Sequence, residues 1–545
     1  MKSIRALPFQ WIVFSIVILA VIGYYAVTEW AVPLPFYDLR FDPEMPYFAN
    51  SLAFFKGVPY SYIDHPGTPV EFLGSVLLAM TKFHTRAREI PFFDFHIAQP
   101  RVFLALAHGL LALASFVTVF LMTNWSVRVQ GRRHVVGGLA AAVSFFAVYP
   151  SLAFHTLKYW SHNSFAFPFG TTLLLLLVVR LRRSDPVPMG TAFAGGVLAG
   201  LLASVQLYFA VWVVGVAVAF MLNSWFRGEG WGVGMQRGLV SGAGAAIGFL
   251  IGFEPVLHRY RDFGLWVLRL IEHQGRYGGG SEGITSLDQM LRNVGRLWDS
   301  SGTLFIGAAF IVALTIVAMR ARRWQVREDP GWWSACLALL LQLVLLWGLI
   351  IKHPGEPYLL GIAGILSVLL ALALTGLLSS KGRIVAVGRT AVAIFLLGFA
   401  GGMWMALESH FHLVSQVRTS EEVISREIDA YGRRTGLERE EMTILWAYGI
   451  PSRCYALRFG NSYAGRALQE EIDSVCPNEW EYVIWTDDVR IGSNLQALQD
   501  NNDWDLLFVP EAFVPPAYDN IAEIKVTSAE TERYGRIVVV TSRRH

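Results

Sequence analysis

Over 545 residues the chain is 54% hydrophobic, 13% aromatic and only 16% charged, with a mean hydropathy of +0.43. That leaves too little charge to solvate the surface of a water-soluble protein of this size, so the composition predicts a polytopic membrane protein. The net charge of +3 comes from arginines clustered at the ends of apolar segments, and nothing in it suggests a nucleic-acid partner.

The first apolar segment, 11–32, follows a short Lys2/Arg5 head and has no small-residue cleavage site, so it reads as an anchoring helix. Beyond it the chain runs Phe41-Asp42-Pro43-Glu44-Met45-Pro46-Tyr47, then Lys56-Gly57-Val58-Pro59-Tyr60, then Asp64-His65-Pro66-Gly67-Thr68-Pro69. This is an acidic loop punctuated by proline. The weaker apolar stretch 70–83 is expected to lie in the membrane interface. Further apolar runs at 101–123, 135–152, 165–180, 189–204, 206–222, 236–253, 301–319, 331–351, 357–378 and 388–407 bring the expectation to about eleven spans, since ~20 residues cross a bilayer core.

Orientation follows from the short loops. A cytoplasmic N-terminus places Arg128/Arg132/Arg133, Arg180/Arg182/Arg183, Arg227/Arg237, Arg320/Arg322/Arg323/Arg327 and Lys381/Arg383/Arg389 all inside. The loops 33–100 and 254–300 and everything after 408 then face outward. The Gly278–Gly283 run in the second loop lacks the Gly-Lys-Ser/Thr of a phosphate cradle and reads as a flexible segment.

The organisation expected is a membrane domain over 1–410 and an extracytoplasmic α/β domain over 411–545. In the latter, Thr419 followed by Glu422 reads as a capping box opening a helix over Ser420–Gly432. Strand-like and helix-like stretches then alternate at Thr443–Trp446, Ser462–Val475, Tyr482–Trp485, Leu506–Pro510 and Ile537–Val540. Cys454 and Cys476 fall in this outward domain, where a disulfide is permitted and two buried thiols are the alternative. Cys336 lies in a span.

Moving a sugar from a lipid phosphate to a hydroxyl needs a carboxylate to take the acceptor's proton and cationic or hydrogen-bonding groups to hold the departing phosphate. Asp42 and Glu44 supply the first; His65, Arg101, Lys158, Lys352 and His353 lie in outward segments for the second. His162 and Asn163 sit in the polar-aromatic segment around Trp160, with His155 just before it. Each has a structural alternative: Asp42 before Pro43 suits a helix start, Glu44 a first-turn charge, Lys352 a snorkelling anchor, Tyr358 an interfacial aromatic. Asp38 competes with Asp42, Asp64 is read as a turn cap, and Glu254, His258 and His273 as solvated loop charges, with contact to a donor sugar as their alternative. A transporter would need charge or broken helices near the midplane of paired halves, and a scaffold would not need two carboxylates in the first loop; both remain as other classes.

The Asp42/Glu44 pair, the Gly57-Val58-Pro59-Tyr60 turn, His65-Pro66-Gly67-Thr68-Pro69, Arg101 at the second span, and Lys352-His353-Pro354-Gly355-Glu356-Pro357-Tyr358-Leu359-Leu360 occur in an order that resembles the GT-C glycosyltransferases. The likeness is greatest to the branch with protein O-mannosyltransferases and the lipid A aminoarabinose transferase, and it covers about residues 1–410. It implies an inverting transferase in the bacterial inner membrane that uses a polyprenyl-phosphate sugar. The expected acceptor is a lipid-linked glycan or cell-envelope polymer, because donor and acceptor must meet at the outer face, with a protein acceptor as the second reading. Asp42 would be the general base, Glu44 its helper or an acceptor ligand, and Lys352 and Tyr358 phosphate contacts joined by His65 and Lys158. His65 stands where the branch has lysine, and Asn163 near where it has a second acid; no metal is assigned, and a divalent ion stays open.

Overall fold

The computed structural model describes residues 15, 18–19, 22–38, 41–63, 67–130, 156–273, 282–283, 286–378, 384–447, 450–482, 504–510, 527–531 and 535–541. The expected span 135–152, His155, Asp64, His65, most of the glycine run and the start of the first span lie outside these residues.

In chain order the helices are α1 (Phe41–Ala53), α2 (Thr68–Ala87), α3 (Phe92–Ala98), α4 (Pro100–Gln130), α5 (Thr171–Leu181), α6 (Met189–Val205), α7 (Ala210–Phe226), α8 (Trp231–Phe253), α9 (Tyr260–Glu272), α10 (Leu287–Ala321), α11 (Pro330–Lys352), α12 (Leu359–Leu378), α13 (Ile384–Thr435), α14 (Arg453–Tyr463) and α15 (Gln469–Val475). The strands are β1 (Ile444–Ala447), β2 (Glu479–Tyr482), β3 (Leu506–Pro510), β4 (Thr527–Thr531) and β5 (Gly535–Thr541). Among the described residues seven helical segments are long and apolar enough to cross a membrane: 100–125, 162–181, 207–226, 231–272, 301–321, 330–352 and 356–377. The chain is an integral membrane protein. The expected span at 189–204 forms the 17-residue α6, and 388–407 lies within the 52-residue α13.

The chain divides into two compact units, one holding Met1–Ala26, Ile63–Val70 and His108–Leu407, the other Val27–Tyr62, Glu71–Ala107 and Glu408–His545. In the first, α6 and α8 meet backbone to backbone. A Cβ on Gly196 would lie 1.9 Å from the Ser241 carbonyl oxygen, on Gly200 2.0 Å from that of Ala245, and on Gly248 2.1 Å from that of Val197. Hydrocarbon offers no hydrophobic drive for helix pairing, so small residues that let backbones close are what hold such a pair. By contrast α12 is apolar all round, and 94% of its apolar window is buried, as a helix enclosed by others requires.

In the second unit a five-stranded sheet runs in the order β2-β1-β3-β5-β4. The pairs β1–β2 and β1–β3 are parallel, β3–β5 and β5–β4 antiparallel. The central strands β1 and β3 are buried along their whole length, which is why both read as uninterrupted apolar runs. Edge strand β2 begins at Glu479, three residues before the expected Tyr482, because its alternating charges suit a half-exposed edge. The polar edge strand β4 carries no apolar signal and forms by pairing with β5.

The capping box expected at Thr419 is absent. α13 passes through it without a break and the Thr419 hydroxyl donates back to the Ser415 carbonyl at 3.0 Å, as a mid-helix threonine does. The helical stretch expected over Ser462–Val475 is instead divided between α14 and α15, because Gly465 and Arg466 turn through positive φ of 62° and 59°. Cys454 and Cys476 form a disulfide with Cα atoms 5.7 Å apart; Cys336 is a buried free thiol.

Candidate active site

The expected site residues fall into two groups, one in each unit. Asp42, Glu44 and Arg101 belong to the unit with the sheet. Asp42 has a non-helical backbone (φ −101°, ψ 113°) and precedes Pro43, so the helix proper starts after it, as the sequence pattern of an N-terminal residue predicts. It is half-buried, whereas Glu44 two residues on and the competitor Asp38 are fully buried. Of the three acids Asp42 is the most accessible. The Arg101 guanidinium is exposed and donates to the Glu29 carbonyl at 3.4 Å. Nearby, the Tyr37 hydroxyl is raised well above the usual phenol range, by burial first and by its hydrogen bond to Glu421 second, against the lowering influence of Arg453 and Arg101.

Helix α1 is fixed by groups that the sequence did not single out. Asn50 donates to the Pro46 carbonyl at 2.9 Å and to the Tyr463 carbonyl at 3.1 Å, while its own oxygen accepts from the Ser61 amide at 3.1 Å. Ser51 donates to the Tyr47 carbonyl at 2.6 Å and the Glu71 carbonyl at 3.0 Å. Glu71 on α2 is fully buried, and burial holds its carboxyl well above the usual carboxylate range. The Tyr60 hydroxyl meets that of Ser75 at 2.8 Å and is pushed up to about 12, by burial first, with the charge of Glu71 adding to the rise. On the opposite side of α2, Phe72, Val76, Met80 and Phe83 are exposed in one apolar stripe.

The other group lies in the membrane-helix unit. Lys158, His162 and Asn163 are all buried, and the Asn163 amide nitrogen meets the His162 Nε2 at 3.1 Å. Lys352, the last residue of α11, donates through Nζ to the carbonyls of Leu270 and Ile271, both at 2.7 Å. These are terminal carbonyls of α9, where a cation is favoured by the helix dipole. Asn293 on α10 donates in turn to the Ile351 carbonyl at 2.8 Å at the end of α11. Tyr358 packs on Tyr208 with ring centroids 4.7 Å apart. A Cβ on Gly355 would lie 2.9 Å from the Tyr358 ring, so a side chain here would have to displace that ring. His353 follows Lys352 and is half-buried. Asn293 and Tyr208 sit in loop-flanking and aromatic sequence without a motif, and only the fold reveals their place.

Among the described residues no three His, Cys, Asp or Glu side chains gather as a metal-ligand set.

A polytopic helical membrane part and a small α/β layer, with carboxylates after the first apolar segment and a lysine-tyrosine turn after a late span, define a fold that can be compared with those of known proteins. No family model matches the chain, and no curated protein does. Among solved structures it is similar to ArnT from Cupriavidus metallidurans bound to undecaprenyl phosphate, with a TM-score of 0.54 at 13% identity over 98% of both chains. The apo state of that protein matches with a TM-score of 0.53 at 14% identity, again over 98% of each chain. At this identity the likeness establishes the fold, and it extends over the sheet-bearing unit as well as the membrane helices.

Proposed function

We propose that the protein is an inverting membrane glycosyltransferase that moves a sugar from a polyprenyl-phosphate donor to a hydroxyl of a lipid-linked glycan or cell-envelope polymer. The observation that carries this reading is the fold match along 98% of the chain to a protein bound to undecaprenyl phosphate. The arginine-rich loops support a cytoplasmic N-terminus, hence transfer at the periplasmic face of a bacterial inner membrane.

In the reaction, the Asp42 carboxylate takes the proton of the acceptor hydroxyl as its oxygen attacks the anomeric carbon on the face opposite the phosphate. The bond from that carbon to the phosphate oxygen breaks, its electron pair leaves with the polyprenyl phosphate, and the configuration inverts. A half-buried carboxylate outside the regular helix suits a base that must meet an incoming acceptor; fully buried Glu44 supports the turn that presents it. On the donor side Lys352, His353 and Tyr358 are assigned to the phosphate, with His65, Arg101 and Lys158 as further cationic or donor groups and His162 and Asn163 as sugar or acceptor contacts. Phosphate binding at Lys352 exchanges one of its carbonyl partners for an anionic oxygen, a stronger, charge-assisted bond.

The test is transfer from a panel of polyprenyl-phosphate sugars by the purified protein and by Asp42→Asn. Consumption of one donor by the wild type, falling at least about a hundredfold in the variant, is expected. An equally active variant overturns the assignment of the base, and an untouched panel overturns the donor class.

A further inference from the structure

Within the sheet-bearing unit the helix that carries Asp42 packs on α14 more tightly than side chains allow. A Cβ on Gly460 would lie 2.6 Å from the Met45 carbonyl oxygen and 2.8 Å from its carbonyl carbon. The obstacle is backbone and not a side-chain tip, so no rotamer change relieves it. Met45 lies three positions after Asp42 and directly follows Glu44. At the far end of α14 the Tyr463 carbonyl accepts from Asn50 of α1 at 3.1 Å and from the Ser61 hydroxyl in the loop beyond. The Tyr463 ring meets that of Tyr62 edge-on, with centroids 5.0 Å apart. Lys56 at the end of the same segment pairs with Glu471 at 2.5 Å.

We infer that α14, which belongs to the C-terminal part of the chain, is a positioning element for the Asp42 carboxylate, with Gly460 as its reference point and Asn50 as the second. This rests on the reading of Asp42 as the base. α1 has one close backbone contact near its start and a hydrogen-bonded buried amide near its end; α14 supplies the first and, through the Tyr463 carbonyl, one partner of the second. Two fixed points on one helix determine where its first turn lies, and with it the residue just before that turn. A methyl group at 460 would have to open the Met45 contact by about 0.8 Å to reach ordinary van der Waals distance, and a displacement near 1 Å of a reacting group costs up to ~10²-fold in rate.

The experiment compares wild type, Gly460→Ala, Asn50→Ser and Asp42→Asn in the full-length protein in detergent, measuring thermal unfolding, the affinity for polyprenyl phosphate alone, and kcat and KM for transfer. Expected for Gly460→Ala is a kcat lowered about tenfold or more, with lipid affinity held within about twofold and an acid limb of the pH–rate profile displaced from that of wild type. A purely structural contact would lower the amount of folded enzyme and leave kcat per folded molecule and the pH profile alone, and that result overturns the inference. Should Gly460→Ala not accumulate, Asn50→Ser is read by the same criteria. Full activity in Asp42→Asn would mean that the base assignment itself has failed; an inactive Asp42→Asn beside a fully active Gly460→Ala means that only the positioning role has.

Discussion

The two units solve the same packing problem with different chemistry. In the membrane-helix unit α6 and α8 are drawn together by glycines that let carbonyl oxygens approach within van der Waals reach of the facing backbone. Helix ends there are completed by Lys352 and Asn293 donating to carbonyls. In the sheet-bearing unit the helix after Asp42 is held by a saturated amide, hydroxyls and aromatic edges around Asn50, Ser61 and Tyr62. The contrast teaches that the carboxylate region adds directional bonds to its one close backbone contact at Gly460, whereas the α6–α8 pair is specified by a row of close, non-directional backbone contacts.

The largest expected effect tests the directional side. Replacing Asp42 by asparagine removes the base while leaving volume and helix start, and a loss of ~10²- to 10⁴-fold in kcat follows, read as sugar transfer per folded enzyme. A loss confined to KM would mean that Asp42 only binds.

Next comes the non-directional side. Gly200→Val would drive a branched side chain into the Ala245 carbonyl, which a Cβ alone already meets at 2.0 Å. Overpacking of this kind costs about 3 kcal/mol or more, so the variant is expected to lose its folded yield in detergent. Normal thermal stability would show that α6 and α8 can part freely.

The disulfide gives the third effect. Cys454 and Cys476 are 22 residues apart, and opening a loop of that size releases unfolded-chain entropy worth about 3 kcal/mol. Reduction, or the pair of serine substitutions, should therefore unfold the sheet-bearing unit at a lower temperature, followed by its tryptophan fluorescence.

Lys352→Met should weaken polyprenyl-phosphate binding about tenfold, and it also strips the Leu270 and Ile271 carbonyls of their donor. Equilibrium binding of the lipid phosphate separates the two. Unchanged affinity with lowered stability would make Lys352 a helix cap alone.

The smallest effect concerns Glu71, whose folded carboxyl titrates above its unfolded value because it is buried. The folded state thus binds the proton more tightly. Its contribution is fully present below the unfolded pKa and declines as pH rises toward the folded one. Glu71→Gln should flatten that decline and leave the protein slightly more stable above neutrality, measured as melting temperature against pH. A steeper decline would show that the carboxylate is stabilised by charge.

Much of this molecule is legible in one dimension. Runs such as Leu359–Leu378 and Pro330–Lys352 announce buried or membrane helices because lipid and core exclude charge over a full helix length. The central strands β1 and β3 appear near their expected places because strands covered on both faces are continuously apolar. Asp42 could be singled out because it is a carboxylate in an outward loop, within a motif order that resembles a known family. Other features depend on partners distant in the chain. The uninterrupted α13 overrode a good capping pattern at Thr419, and the polar strand β4 exists only beside β5. Gly460, Asn50 and Asn293 carry no local signal; their meaning lies in the Met45 and Tyr463 carbonyls in one unit and the Ile351 carbonyl in the other. Composition and periodicity report what a residue's surroundings exclude, and so determined the membrane class; Asp42 as base is what the resemblance of the motif order to a known family implies. Which backbone a glycine touches, or which carbonyl an amide reaches, is a matter of three-dimensional proximity, and only the tertiary structure decided it.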